Sequence, residues 1–179
     1  MNYHSLVTIR RAPGTGSTRG HVIAGHHAMT CALGRSALSV FKREGDGATP
    51  APIIMRAQWG YFRADRVRRP RTAIAMVATA TDDGWCDAPT HPAYNHPVRL
   101  PFAASHEVMM RDDELYDICV VLDQNRPPNA RKRYGGSAIF LHCAKPGLPP
   151  TQGCIALPRK QLLMLLARMN GDTRLVVEP

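Results

Sequence analysis

Two residues near the C-terminal end of the chain, His142 and Cys154, have the types and the spacing that thiol chemistry uses. The apolar run 137–141 predicts a buried strand that ends at His142, and a loop rich in proline and glycine follows it. Gly153 and Cys154 then open a second short apolar segment. A histidine that leaves one strand can serve as the base for a thiol at such a turn. The pattern predicts Cys154 as nucleophile and His142 as base, and a buried structural cysteine beside a strand-edge histidine is the alternative.

The turn that carries the thiol indicates how such a reaction would proceed. A free thiol has a pKa of about 8.5, so little thiolate is present at neutral pH. We expect His142 and the backbone N–H groups of the turn to lower the pKa of Cys154. The N–H groups of Gly153 and Cys154 are predicted to stabilise the oxyanion of a tetrahedral intermediate. A backbone carbonyl, or Asp123 at the end of the apolar run 116–122, would orient the imidazole of His142.

A longer string around the thiol resembles a known family. Residues 151–155, Thr-Gln-Gly-Cys-Ile, follow a strand-end histidine and resemble the Ser/Thr-x-Gly-Cys signature of the L,D-transpeptidase catalytic domain. Residues 42–50, which end in Thr-Pro, resemble the segment that precedes the family's substrate cleft. Residues 83–87 and 94–95, Asp-Gly-Trp-Cys-Asp and Tyr-Asn, resemble a compact proteobacterial subgroup of that family. The resemblance extends from about residue 33 to the C-terminus.

The resemblance implies one catalytic domain over residues 1–179, a mainly β fold of the L,D-transpeptidase-type β-sandwich with short helices. Residues 1–30, an N-terminal extension, and 82–111, an insertion, are expected to cap the cleft. Short apolar runs between Gly and Pro clusters are also typical of sandwiches and small barrels. The pattern predicts strands at 6–10, 21–28, 37–41, 74–78, 116–122, 137–141 and 174–177, and helices at 105–111 and 158–170.

The same resemblance implies a cysteine acyltransferase that cross-links peptidoglycan without a cofactor. Cys154 would take the acyl part of one stem peptide, and the amine of a second stem would resolve the thioester, with His142 moving the protons. The subgroup includes enzymes that make 1–3 linkages besides the 3–3 linkages of most members, and residues 83–87 and 94–95 favour the 1–3 type. Three positions depart from the family pattern and leave the donor specificity open: Gln152, Ala156 and Ala51-Pro52.

Two other functions stay open at this point. The same thioester resolved by water gives an L,D-carboxypeptidase or endopeptidase, and a dry, capped cleft would favour transfer over hydrolysis. A chain that kept the fold without the chemistry would be a basic cell-wall-binding module. The presence of both Cys154 and His142 argues against that last alternative.

Other residues are predicted to contact the substrate. His106 falls in the predicted cap, Arg99 could bind a stem-peptide carboxylate through a bidentate contact, and Trp85 could shape the channel. The alternatives for these three are a surface or capping role, a solvated side chain and a packing anchor, respectively. The full set of predicted contacts comprises Trp85, Tyr94, Asn95, Arg99, His106, Thr151 and Gln152.

The net charge of +9 is placed unevenly along the chain. Residues 1–81 hold twelve Lys and Arg against three acids, whereas residues 82–179 hold eleven of each. The densest basic run, 63–71, is either a solvated face or a surface that attracts an anionic polymer such as the cell wall. Aromatic residues make up 6% of the chain and no nucleic-acid module signature occurs, so nucleic acid is not an expected partner.

The sequence was also searched for membrane spans, metal-binding motifs and paired cysteines. No apolar stretch is long enough to span a bilayer, and the N-terminus has no recognisable secretory signal, although a peptidoglycan substrate implies the periplasm. No HExxH or CxxC motif occurs and the remaining histidines lack zinc spacing, so no metal is expected. A thiol enzyme keeps one of the five cysteines free, and Cys119 and Cys143 read as packing residues. Two disulfides or none could form among the other four: Cys31, Cys86, Cys119 and Cys143.

Overall fold

The protein is mostly β-structure. The computed structural model describes residues 3–14 and 17–179, and 37% of these residues are strand against 5% helix, so the mainly β prediction is confirmed. In chain order the elements are β1 Leu6–Arg11, β2 Arg19–Ala24, β3 His27–Ala32, β4 Leu38–Ser39, β5 Thr49–Pro50, β6 Ile53–Phe62, β7 Met76–Ala78, β8 Asp83–Cys86, β9 His96–Arg99, β10 His106–Val108, β11 Ile118–Leu122, β12 Phe140–Cys143, β13 Ile155–Leu157, α1 Arg159–Leu166 and β14 Arg174–Glu178.

Eight of these strands form a closed barrel. Around the barrel the order is β11-β12-β13-β3-β2-β1-β14-β6, and antiparallel pairing of β6 with β11 closes the ring. The short strand β7 pairs with β6 in parallel as an additional strand. Closure gives every barrel strand a partner on both sides, which removes the open edges through which sheets aggregate.

Alternation along the strands fills the barrel with apolar side chains. Successive residues of a strand point to opposite faces, so Val7 and Ile9 of β1 face the interior. Leu175 and Val177 of β14 do the same, and the parallel register places Val7 opposite Leu175 and Ile9 opposite Val177. All four side chains are fully buried, and each contributes about 1.5–3 kcal/mol to stability.

The single helix of the described residues, α1, packs against β12. It begins at Arg159, one residue after the predicted start at Pro158, and ends at Leu166 instead of residue 170. The N–H groups of Arg168 and Met169 bond to carbonyls three residues earlier, so the last turn tightens and the α-helix stops. No helix within residues 3–14 and 17–179 has the length and apolar character needed to cross a bilayer. The buried side of α1 consists of Leu162, Leu165 and Leu166.

The predicted helix at 105–111 is wrong. His106–Val108 form strand β10, which pairs antiparallel with β8, while β9 pairs with the other edge of β8. We call these three strands the outer sheet. The segment 106–108 is so short that its residue pattern fits either a helix or a strand. It becomes a strand because the edge of β8 supplies backbone hydrogen bonds. The outer sheet accounts for much of 82–111, and its Trp85 packs against Phe140 on the outside of the barrel.

The N-terminal residues also differ from the prediction. The described part of 1–30 is not a cap, because β1, β2 and β3 are strands of the barrel wall. Residues 1, 2, 15 and 16 of that predicted cap lie outside the described residues. The predicted strand 21–28 is two strands, because the chain turns at Gly25, whose positive φ of 59° glycine adopts at no steric cost.

The longest strand, β6, has no counterpart in the prediction. Its first half alternates, with Met55 and Ala57 buried and Arg56 exposed, which is the period-2 signal that would have revealed it. By contrast, the predicted strand 37–41 shrinks to the two residues of β4, and 74–78 to the three of β7. Each predicted strand therefore overlaps an observed one, but the strands β5, β6, β8, β9 and β13 were not predicted.

Candidate active site

His142 and Cys154 come from neighbouring strands. β12 and β13 are parallel, with Leu141 opposite Ile155 and His142 opposite Ala156, so Cys154 enters β13 beside Phe140. Leu141 belongs to the barrel interior, whereas Phe140 and Cys154 belong to a cluster on the outer face. Since His142 is two residues after Phe140, it points to the same outer face. The parallel register thus brings base and thiol to one side of the barrel wall.

The Cys154 thiol is held by the backbone and almost completely buried. Its residue is 7% exposed, Sγ donates a hydrogen bond to the Ala138 carbonyl at 3.1 Å, and the Phe140 N–H lies 3.4 Å from Sγ. Burial raises the pKa of Cys154 to about 12, and the negative charge of Glu107 adds to the increase. The expected lowering of this pKa is therefore wrong, because desolvation outweighs the nearby N–H donor.

His142 is oriented by a backbone carbonyl. Its Nδ1 lies 2.8 Å from the Cys143 oxygen, and a carbonyl only accepts, so in the neutral imidazole Nδ1 carries the proton and Nε2 is unprotonated. Burial lowers the pKa of His142 to about 4. The alternative partner, Asp123, lies elsewhere: its Oδ1 accepts a hydrogen bond from the Arg56 N–H at 2.8 Å. At neutral pH the site holds a neutral thiol and a neutral imidazole.

Both residues line one cavity of about 430 Å³, which we call the thiol cavity. Thr151 and Gln152, two predicted substrate contacts, line it as well. Its full lining comprises Glu107, Arg111, Leu115, Tyr116, His142, Ala144, Lys145, Pro149, Pro150, Thr151, Gln152, Cys154 and Ala156.

The turn before the thiol requires glycine. Gly153 has a φ of +128°, and a Cβ there would lie 2.8 Å from the Ala48 carbonyl oxygen. Thr151 Oγ1 accepts the Gly153 N–H at 3.1 Å and donates to the Cys154 carbonyl at 2.7 Å. The Gly153 N–H is thus occupied, which contradicts its predicted role as an oxyanion donor in this conformation. The Cys154 N–H stays a predicted donor.

Three of the predicted substrate contacts do not line the thiol cavity: Trp85, Tyr94 and Asn95. All three are fully buried or nearly so. The Asn95 Oδ1 accepts hydrogen bonds from Trp85 Nε1 at 3.1 Å and from the Ala138 N–H at 3.0 Å. The Tyr94 hydroxyl donates to Glu44. Their predicted role in shaping the channel is replaced by a structural one, since Asn95 holds the residue whose carbonyl accepts the thiol.

Ala138 itself has an unusual backbone conformation beside the thiol that the sequence did not reveal. Its φ of 51° lies in the left-handed region, which alanine rarely adopts. This conformation lets its N–H bond to Asn95 while its carbonyl accepts the Cys154 thiol. Such backbone strain concentrates at functional sites, and here the neighbouring hydrogen bonds hold it in place.

Arg99 and His106 lie away from the thiol cavity, contrary to the prediction. Arg99 is exposed on β9, where its guanidinium binds Asp82 and Asp83 at 2.8 Å each. The His106 Nδ1 lies 2.8 Å from the Ala104 carbonyl oxygen. Both side chains have partners within the outer sheet and its loops, so neither is placed to contact a substrate at Cys154.

Two residues that sequence reasoning missed stand beside His142. The Tyr116 ring packs edge-on against His142, with centroids 5.4 Å apart, and its hydroxyl donates to Glu107. Arg111 stacks over the same ring at 5.1 Å. The only sequence signal for this cluster was Glu107, a lone acid between His106 and the apolar residues that follow it. The wrong prediction of a helix at 105–111 prevented its recognition.

Part of the basic run 63–71 forms ion pairs with acidic residues of the protein itself. Arg63 is buried and binds Asp65 through two nitrogens, at 2.8 and 2.7 Å. Arg66 lies 3.4 Å from Asp117, a buried acid. Arg63 therefore does not belong to a solvated, polymer-binding face, whereas Arg66, Arg68 and Arg69 are exposed.

All five cysteines lie within the described residues, and each is a free, buried thiol. Only Cys154 among them lines the thiol cavity. No family model matches the chain, and searches of curated proteins and of solved structures return no match. The assignment of a function therefore rests on the geometry of the site and on the sequence resemblance.

Proposed function

We propose that this protein is a cysteine acyltransferase of the L,D-transpeptidase type, which cross-links peptidoglycan stem peptides in the periplasm. One observation carries the proposal: His142 lies on β12, Cys154 directly precedes the parallel neighbour β13, and both line a single cavity. The Cys143 carbonyl selects the imidazole tautomer that can accept a proton at Nε2. The stretch 151–155, which resembles the family signature, contributes three residues to the same cavity.

The first half-reaction would cleave a peptide bond of the donor stem. Nε2 of His142 takes the thiol proton as Sγ of Cys154 attacks the carbonyl carbon, and the proton then passes to the leaving amine. A neutral starting pair suits this order, because proton transfer accompanies the attack. In the second half-reaction an acceptor amine attacks the thioester and Cys154 leaves as a thiol.

Burial of the thiol favours transfer over hydrolysis. An acyl group on a sulfur whose residue is 7% exposed is shielded from bulk water, so an amine that binds in the cavity competes well. The finer parts of the proposal are the 1–3 linkage and the assignment of the barrel to the L,D-transpeptidase-type sandwich. The linkage draws on the resemblance of residues 83–87 and 94–95 to the proteobacterial subgroup, and the sandwich draws on the family resemblance from about residue 33 to the C-terminus.

Incubation with purified muropeptides tests the proposal. Intact-protein mass spectrometry should show a donor acyl group on the parent protein, and tandem spectra of the products should locate a 1–3 linkage. Cys154→Ala serves as the matched control, and it should carry no acyl group. Products with added water in place of an amine would indicate a carboxypeptidase or endopeptidase, and absence of any acyl-enzyme would exclude this mechanism.

A further inference from the structure

Glu107 is the one carboxyl side chain among the described residues that line the thiol cavity, and the mechanism above does not use it. Its Oε2 accepts a hydrogen bond from the Tyr116 hydroxyl. Within residues 3–14 and 17–179, no lysine, arginine or histidine forms an ion pair with it. Glu107 therefore holds one neutral partner and no countercharge.

The two cations that line the cavity are taken by a different acid. Arg111 donates through Nε and Nη2 to the two oxygens of Asp113, at 2.8 Å each. Lys145 Nζ lies 3.2 Å from Oδ2 of the same Asp113. Because both cations already share one carboxylate, the charge of Glu107 is left for a group that enters from outside.

An unpaired carboxylate at this position is costly. Burial raises the pKa of Glu107, and the negative charges of Asp87 and Glu44 raise it further, while the Tyr116 hydrogen bond and the positive charge of Arg111 act against them. A cation that entered the cavity would compensate the desolvated carboxylate. The cavity is therefore preorganised for a positively charged group.

We propose that Glu107, held by Tyr116, binds the primary ammonium group of the acceptor substrate beside Cys154. The inference rests on the proposed acyl transfer and names the residue that recognises its second substrate. A primary ammonium is compact, offers three N–H donors and supplies the countercharge that Glu107 lacks. The cross-strand register of Glu107 with Trp85, which packs on the barrel, fixes the carboxylate on the cavity wall.

The protons of the transfer step balance with Glu107 in this role. The acceptor ammonium carries three N–H bonds, and the amide nitrogen of the product keeps one. Glu107 takes the first proton, which frees the amine lone pair to form the N–C bond as the C–S bond breaks. His142 takes the second proton and returns it to the Cys154 sulfur, after which Glu107 releases its proton to solvent.

Glu107→Gln tests the assignment, because it keeps the size of the side chain and removes its charge. The donor is a stem tetrapeptide, the acceptor is a stem peptide with a free amine, and the two half-reactions are measured separately. We expect the variant still to form the thioester on Cys154, while kcat/KM for the acceptor falls about 100-fold, with KM raised and kcat lowered.

Two further variants sharpen the test. Tyr116→Phe removes the hydrogen bond to Glu107, so the carboxyl pKa rises further and acceptor kcat/KM falls about tenfold, with partial recovery as the pH is raised. Glu114→Gln is the matched control, because its side chain is 73% exposed and lies outside the cavity, and it should change neither half-reaction.

The outcomes separate the two proposals. A parent protein that forms no thioester contradicts the proposed function itself. A Glu107→Gln protein that forms the thioester and transfers it to amines as the parent does contradicts only the role of Glu107. Loss of thioester formation in Glu107→Gln, with normal circular dichroism, would place the residue in the first step and also overturn its assignment to the acceptor.

Discussion

The barrel interior and the layer between the barrel and the outer sheet share strands but differ in chemistry. Val120 and Leu141 point inward into a cluster of apolar side chains. Their chain neighbours Cys119 and Phe140 point outward, into the aromatic cluster that also contains Cys154. Alternation along β11 and β12 therefore assigns stability and chemistry to different residues of the same strand, and substitutions should separate the two.

Cys154→Ala should have the largest effect of any single change on the outer layer. One thiol carries both half-reactions, so we expect acylation and transfer to fall at least about 10³-fold. The unfolding temperature should change little, since the lost sulfur borders a cavity. Muropeptide assays with calorimetry check both expectations, and substantial residual activity would contradict the role of Cys154.

Cys143→Ala is the matched change on the other side of the wall. This cysteine belongs to the interior cluster, so we expect a loss of about 1 kcal/mol in stability and nearly unchanged turnover below the unfolding transition. Equal activity losses in both alanine variants would show that the two layers are not separable.

His142→Ala should come next, with a loss of about 10²–10⁴-fold in acylation. Base and nucleophile act as a unit, so adding His142→Ala to Cys154→Ala should cost little beyond the single change. Product formation from muropeptides by the three variants measures this. A double variant far below both singles would mean that the two residues act independently.

Leu175→Ala tests the interior far from the thiol. Its fully buried side chain lies on β14, so we expect a loss of about 2–5 kcal/mol in the free energy of unfolding. At temperatures where the variant stays folded, acylation should match that of the parent. Chemical denaturation and acylation assays on the same sample check this, and a selective loss of acylation would contradict it.

The last expected effect, that of pH, needs no substitution. The pKa of His142 is about 4 in the folded protein against an ordinary value of 6.5, so between these values only the unfolded chain binds the proton. This group therefore contributes stability above pH 6.5 that is lost as the pH falls towards 4, about 3 kcal/mol in total. Denaturation of the parent and of His142→Gln from pH 7 to 4 should differ by this component.

Acylation should follow the same titration. Because Nε2 accepts a proton only when the imidazole is neutral, we expect the acid limb of the rate to lie near pH 4. A rate profile measured by thioester formation tests this, and an acid limb near 6.5 would mean that His142 is solvated in the reacting state.

The sequence by itself determined the strand-rich character of the chain, the beginning of α1 and the residue pair to examine. Gly and Pro clusters separate short apolar runs, which is a local signal, and Pro158 fits only the first turn of a helix. The types of Cys154 and His142 and their separation along the chain were likewise evident from the sequence.

Only the tertiary structure decided how the barrel closes and what surrounds the thiol. The pairing of β6 with β11 and of β10 with β8 joins segments distant in sequence, and no local pattern encodes those partners. The same long-range packing buries the thiol, so the pKa of Cys154 rises where its local neighbours predicted a decrease. Burial and countercharge depend on what the rest of the chain places nearby, which is why Glu107 became visible only in the folded protein.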